Sequence, residues 1–113
     1  MGAGEKTELV TIQREARTRQ PGGSFTSEWQ DLTTVWASAD WVRGGETERQ
    51  GTLRAMAVYR FTVYGEAIED ITPPLGPGDR IVWNDEPYNI RERPRRQIGK
   101  PEIDIIADTG VTQ

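Results

Sequence analysis

Residues 55–65 have the sequence AMAVYRFTVYG, in which side chains alternate between the two faces of an extended chain. One face has Met56, Val58, Arg60, Thr62 and Tyr64. The other has Ala57, Tyr59, Phe61 and Val63, and we predict that this second set faces the core. A period of two is typical of a strand with one buried side, so the stretch predicts a β protein.

Further strands are predicted toward the N-terminus. Glu8–Arg14 (ELVTIQR) is rich in Val, Thr and Ile, which favour strands. Residues 15–24 are polar and contain Pro21-Gly22-Gly23, so we predict a loop there. The pattern resumes over residues 25–42 as one long strand or two consecutive ones. Residues 8–42 are therefore predicted to form a long hairpin with a loop at its tip.

The C-terminal half predicts three more strands. Arg80–Trp83 and Pro87–Arg93 flank a turn at residues 84–86, and a last strand follows at Glu102–Ala107. Residues 65–79 are rich in proline and glycine, which predicts an extended, ordered loop rather than a helix. The tail from Asp108 onward is predicted to be frayed.

Together these elements predict a mainly β fold, a small SH3-like or antiparallel β-barrel or sandwich of five to six strands with long loops and at most one short helix. The 113 residues are enough for one domain, with its core at about residues 8–107. Only 35% of residues are hydrophobic, so we expect aromatic side chains to supply much of the buried area: the four tryptophans with Tyr59, Phe61, Tyr64 and Tyr88. The predicted core residues are Ile12, Trp36, Tyr59, Phe61, Ile81, Tyr88, Ile90 and Ile105.

Residue types limit the chemistry that is available. The chain has neither cysteine nor histidine, which removes thiolate metal sites and the usual general base near neutral pH. The carboxylate pairs Asp79 with Asp85 and Glu102 with Asp104 are better explained by turns and by an exposed strand face. We therefore predict no catalytic site, no metal site and no cofactor. No apolar run approaches the length of a membrane span, so no membrane contact is expected.

Charge is segregated along the chain, whose formal net charge is −4. Residues 65–90 are strongly acidic, and residues 91–100 are strongly basic. Opposite charges in neighbouring loops are common on single domains, but they also suit docking. We hypothesise that the basic run meets the acidic stretch of a neighbouring subunit or of an adjoining ring. The candidate interface residues are Arg91, Arg93, Arg95, Arg96, Glu66, Glu69 and Asp70.

The order of several short pieces resembles the phage head-tail joining family, also called head-closure, stopper or head-tail adaptor proteins. The resemblance covers residues 8–107 and lies in the order and spacing of the pieces more than in any one of them. The pieces are Val10–Arg14 (VTIQR), Trp29, Val35–Ala37 (VWA), Tyr59–Val63 (YRFTV), Asp79–Trp83 (DRIVW), Tyr88–Ile90 (YNI) and Ile103–Ile106 (IDII).

This resemblance implies a subunit of a homo-oligomeric, dodecameric ring at the head-tail interface of a virion, assembled in the host bacterial cytoplasm. The implied partners are portal and adaptor ring proteins, tail proteins and further copies of the chain. DNA would pass through the lumen without specific binding. The alternatives are a tail-completion protein and a free-standing SH3-like peptide-binding module.

In some relatives a loop projects into the channel and closes it. The corresponding segment here is residues 43–54, which are charged and glycine-rich, so we predict a mobile loop with at most a short helix. The candidate channel residues are Gly44, Gly45, Glu46, Glu48, Arg49 and Gly51. Three glycines in this segment, and a long proline-rich connection at residues 65–79, depart from the family pattern.

Overall fold

The described part of the chain folds mainly into β-strands. The computed structural model describes residues 5–45, 48–49, 52–53 and 56–110, with side chains for residues 5–44 and 57–110. The strands are β1 (Glu8–Arg19), β2 (Phe25–Gly45), β3 (Glu48–Arg49), β4 (Thr52–Leu53), β5 (Met56–Tyr64), β6 (Asp79–Trp83), β7 (Glu86–Ile90), β8 (Arg95–Arg96) and β9 (Glu102–Asp108). The prediction of a mainly β fold is confirmed, and the only helical element in the described part is a 3-10 turn at Gly65–Ala67.

One antiparallel sheet closes on itself. Its strands follow the order β5-β2-β1-β6-β7-β9, and β9 pairs back with β5. The short strand β8 adds to β9, while β3 and β4 pair only with each other. Closure leaves an interior that the inward-facing side chains fill.

The core contains most of the residues predicted for it. Seven of the eight face the interior: Phe61, Ile12, Ile81, Ile90, Ile105 and Tyr88 are buried, and Tyr59 packs against them from a half-buried position. Val63 joins them, as the alternation predicts. Val58 is also buried, although the alternation assigns it to the outer face.

The prediction for Trp36 is wrong, because its side chain is 56% exposed. Val35 and Ala37 are buried on either side of it, and alternation along β2 therefore turns Trp36 outward. Trp41 is likewise 59% exposed. Of the tryptophans, Trp83 is the one that packs against the core, so aromatic size was a poor guide to burial here.

The hairpin of β1 and β2 is longer than predicted. The predicted loop at residues 15–24 is wrong for residues 15–19, which pair with residues 25–29. The ladder pairs the backbone groups on the edge that faces β2, although most of the side chains are polar. Pairing of β1 with β6 ends at Arg14, so residues 15–29 form a two-stranded ribbon beyond the closed sheet. We call this ribbon the arm.

The segment predicted as a loop after residue 42 begins as strand. Gly44 and Gly45 continue β2 and pair with Ala57 and Met56, so the loop prediction is wrong there. Two-residue pairing then joins Glu48–Arg49 to Thr52–Leu53. The candidate channel residues Glu46 and Gly51 lie outside the described residues, and mobility of the segment stays a prediction.

Two connections complete the fold. Residues 68–78 form the predicted ordered loop, which buries Ile68 and Leu75 against the core. The turn between β6 and β7 has Asn84 and Asp85 at φ of 55° and 64°, the left-handed pair of a two-residue hairpin turn. Thr109 exchanges hydrogen bonds with Ala57, so residues 108–110 are ordered rather than frayed, whereas residues 111–113 lie outside the described part.

Candidate functional site

Three of the four carboxylates considered for chemistry are held in structural contacts, and the fourth, Asp85, lies exposed in the β6–β7 turn. Asp79 binds Arg14, and Glu102 pairs with Lys6 at 3.2 Å. Asp104 accepts hydrogen bonds from Thr62 and Gln97. Within the described residues, no group of three carboxylates could hold a metal ion, and no helix could cross a membrane.

Arg14 and Asp79 form a two-pronged ion pair that ties the ordered loop to the sheet. The Arg14 Nε and Nη2 atoms donate to the Asp79 carboxylate at 2.9 and 3.0 Å, and Nη2 also donates to the Pro73 carbonyl at 2.7 Å. Asp79 accepts a further bond from the Gly76 amide. The hydrogen bond to Asp79 raises the pKa of Arg14. This pair positions the loop and gives Asp79 a structural role.

The predicted interface residues divide into two groups. Glu69, Arg93 and Arg96 line one open groove of about 370 Å³, whose floor is apolar. Glu66 lies in an adjoining groove together with Tyr64, Glu69 and Arg96. Acidic and basic segments thus meet on one chain, and no ion pair joins them among the described side chains.

The other predicted residues lie elsewhere. Asp70 is beside Leu32, in a separate groove. Arg91 pairs with Asp108 at 3.0 Å, and Arg95 lies 4.0 Å from Glu92. Arg91 and Arg95 are therefore partly neutralised within the chain, whereas Arg93 and Arg96 form no ion pair in the described structure.

The basic run ends in a turn that carries an unprotected apolar side chain. Residues 97–101 connect β8 to β9. Two backbone hydrogen bonds close the turn: the Gln97 amide donates to the Glu102 carbonyl, and the Lys100 amide donates to the Gln97 carbonyl. Ile98 at the tip is 96% exposed. We call residues 91–100 the basic turn. Sequence reasoning missed Ile98, although an isoleucine among four arginines and a lysine, in a turn rather than a strand, was a visible signal.

A second apolar surface lies on the outside of the closed sheet. Leu9 and Trp36 are directly paired across β1 and β2, and they are 51% and 56% exposed. Ser38 of β2 pairs with Thr62 of the antiparallel strand β5. Tyr64, two residues after Thr62, therefore lies opposite Trp36, two residues before Ser38, and it is 44% exposed. The three side chains therefore share one face of adjacent strands. We call Leu9, Trp36 and Tyr64 the wall patch.

The arm carries a third exposed surface and has a braced root. At the root, the Arg80 guanidinium lies 4.1 Å from the centre of the Trp29 ring, and its Nε donates to Gln13 at 2.8 Å. At the tip, Phe25 is 58% exposed. The centre of its ring lies 5.7 Å from the guanidinium carbon of Arg17 and 5.8 Å from that of Arg19. The tip is therefore both aromatic and cationic.

Comparisons with known proteins identify one family and two structures of similar fold. The family model described as phage head completion protein matches residues 1–110. A chain of the virion of a native gene transfer agent particle has a TM-score of 0.72 and 17% identity, over 96% of this chain and 98% of that one. A protein from Shigella flexneri 2a, with its structure determined in solution, has a TM-score of 0.68 and 21% identity over the full length of both. The search of curated proteins finds no match.

The two structural likenesses are below 25% identity and bear on the fold alone. The family match spans nearly the whole chain and bears on its role. It selects a phage particle over the free-standing peptide-binding module. The chain therefore belongs to the phage head completion protein family, and it is a structural component of a phage or phage-like virion, not an enzyme.

Proposed function

We propose that the chain forms a homo-oligomeric ring between the portal and adaptor ring proteins and the tail, and that packaged DNA passes through its lumen. The match to the phage head completion family over residues 1–110 carries this proposal. The ring is dodecameric in the particle, and it is assembled from subunits made in the host bacterial cytoplasm. The net charge of −4 suits a lumen that does not hold phosphate, because a basic lining would bind DNA strongly.

Removal of the gene tests the position of the ring. Particles without the subunit should accumulate as heads beside separate tails, and purified subunit should restore joining in an extract. Electron microscopy of the restored particles should reveal one dodecameric ring at the junction. Normal joining without the subunit would refute the proposal.

The basic turn is the surface that we assign to the adaptor ring. Arg93, Arg95 and Arg96 supply positive charge around Ile98, an apolar anchor surrounded by charge. Such charges steer docking and set its register, while Ile98 supplies binding energy when the partner buries it. Glu66 and Glu69 lie beside the chain's own Arg96, and Asp70 lies in a separate groove. We assign these three acidic residues to the contact with the neighbouring subunit instead.

A charge reversal tests the assignment of the basic turn. Arg95→Glu with Arg96→Glu should leave the subunit folded, since both side chains are exposed, while joining of heads to tails fails. Arg60→Glu is the matched control for Arg96→Glu alone, because each reverses one charge at an exposed position and Arg60 lies outside the basic turn and the channel segment. Equal joining by these two single variants, together with normal joining by the double variant, would remove the assignment.

The segment that begins with the last two residues of β2 is proposed as the channel loop, and its candidate residues are Gly44, Gly45, Glu46, Glu48, Arg49 and Gly51. Gly45 and Met56 are paired directly, so an Asn-Gly turn in place of residues 46–55 should connect them without disturbing the sheet. If the segment is a stopper loop, heads built with this shortened variant should assemble the ring yet lose DNA before tails attach. Heads that retain their DNA would make the ring a spacer.

A further inference from the structure

We propose that the arm tip of one subunit docks on the wall patch of the next subunit in the ring. The tip is Phe25 with Arg17 and Arg19, and the wall patch is Leu9, Trp36 and Tyr64. This inference rests on the proposed ring, and it names the contact that would hold the ring together.

Both surfaces are apolar and exposed, and they cannot cover each other within one chain. Phe25 pairs with Arg19 at one end of β1, and Trp36 pairs with Leu9 at the other end. Ten residues of strand separate the two pairs, which corresponds to about 33 Å at the rise of an extended chain. Exposed aromatic side chains grouped in this way are typical of interfaces, where tryptophan and tyrosine supply much of the binding energy.

Charge complementarity identifies the occupant as a second copy of the chain. Residues 16–27 contain Arg17 and Arg19 and no acidic residue. Next to Tyr64, on the other surface, Glu66 and Glu69 line a groove to which Arg96 also contributes. The Lys6 ammonium lies 4.2 Å from the centre of the Tyr64 ring, and its charge is paired with Glu102. Two carboxylates against one guanidinium leave the rim acidic on balance, so it complements the cationic aromatic tip encoded by the same chain.

The geometry favours a ring over a simple pair. The contact joins two different surfaces of identical subunits, and contacts of that type repeat from copy to copy until they close. The arm extends five residues past Arg14, or about 17 Å, which is enough to reach over a neighbour. The stacked Arg80 and Trp29 brace the root of the arm, so its tip is presented in a defined direction.

Cross-linking within assembled particles tests the contact, because the chain has no cysteine of its own. Ser27→Cys and Thr34→Cys place one thiol two residues from Phe25 and the other two residues from Trp36, and both aromatic rings remain. Oxidised particles of this double variant should yield a ladder of covalent multimers on a denaturing gel. The control combines Ser27→Cys with Asp85→Cys in the β6–β7 turn, and it should yield monomers.

Failure of this contact and failure of the ring are distinguishable. A ring that is visible by electron microscopy, yet gives no ladder, would overturn the arm contact and leave the ring proposal intact. Absence of any ring would overturn both.

Charge reversal with rescue provides a second readout. Arg17→Glu with Arg19→Glu should reduce ring assembly at least about tenfold, since like charges then face each other. Adding Glu66→Arg and Glu69→Arg to the same chain should restore assembly, and all variants should melt at the parent temperature. Unchanged assembly in the first variant, or no rescue in the second, would refute the proposed contact.

Discussion

Phe61 and Trp36 provide a matched test of which aromatic side chains stabilise the subunit. Phe61 is fully buried, and its ring centre lies 5.4 Å from that of Tyr88, 5.6 Å from Trp83 and 6.1 Å from Tyr59. Trp36 is larger but more than half exposed on the outer face. We therefore expect Phe61→Ala to destabilise the protein strongly and Trp36→Ala to have little effect.

The magnitude follows from what each truncation removes. Phe61→Ala loses the transfer free energy of the ring and leaves a cavity among three aromatic neighbours, a cost of about 3–5 kcal/mol. Trp36→Ala removes a side chain that is already half in water, so its cost should stay below about 1 kcal/mol. At roughly 4 °C per kcal/mol for a domain of this size, Phe61→Ala should melt about 12–20 °C below the parent.

Urea and thermal unfolding followed by far-ultraviolet circular dichroism measure both variants. Phe61→Leu is the control for volume, because it fills most of the cavity without the edge-to-face ring contacts, and it should melt between the parent and Phe61→Ala. The reasoning is refuted if Trp36→Ala melts as low as Phe61→Ala, or if Phe61→Ala melts within a few degrees of the parent.

Three further predictions concern the loop, the core and the β6–β7 turn. Asp79→Ala removes the partner of the half-buried Arg14 and frees the ordered loop, so urea unfolding should reveal a loss of about 2–3 kcal/mol, whereas an unchanged midpoint would contradict it. Burial, with a smaller contribution from Glu86, raises the pKa of Tyr88 to about 12. The unfolded chain ionises near pH 10, so the free energy of unfolding should fall between about pH 10 and pH 12 as the unfolded state alone loses this proton. Tyr88→Phe should lose that part of the alkaline slope, and an identical slope would disprove the assignment. Asp85→Gly should raise the free energy of unfolding by about 0.5–1 kcal/mol, because glycine tolerates the positive φ of this position, and a lower melting temperature would count against this.

The sequence predicted the strands whose side chains alternate and missed those that do not. Phe61 and Val63 were placed correctly because apolar and polar positions alternate clearly around them. In Val35-Trp36-Ala37, three consecutive apolar residues fit either face, and choosing the largest for the interior gave the wrong answer. Register against Val10, which is buried and pairs with Val35, decides the question, and register is a property of the folded sheet.

The arm was missed for a different reason. Most of its side chains are exposed, so no hydrophobic pattern marks either strand, and the polar composition indicated a loop. Its structure comes from continuing the β1–β2 ladder, supported at the root by Trp29 and Arg80. A stacking contact between residues 51 positions apart leaves no local trace in the sequence.

Segregated charge was visible in the sequence, but its arrangement in space was not. Glu69 and Arg93 are separated by β6 and β7, yet they line one groove because the loop after β5 and the segment before β8 lie at the same side of the sheet. The runs of opposite charge led us to predict a contact surface here. They could not predict that acidic and basic side chains would line the same groove.

Folding and assembly thus draw on different side chains of the same strands. On β1, Val10 and Ile12 fill the core, while Leu9 and Arg17 face outward. Substitutions on the outer face should therefore change assembly with little change in the stability of the isolated subunit, and core substitutions should lower stability first. A variant of the wall patch that lost assembly only because it unfolded would contradict this separation. Measuring unfolding and ring assembly for both Trp36→Ala and Phe61→Ala tests this separation. Trp36→Ala should impair assembly at nearly the parent stability, and Phe61→Ala should lower stability first.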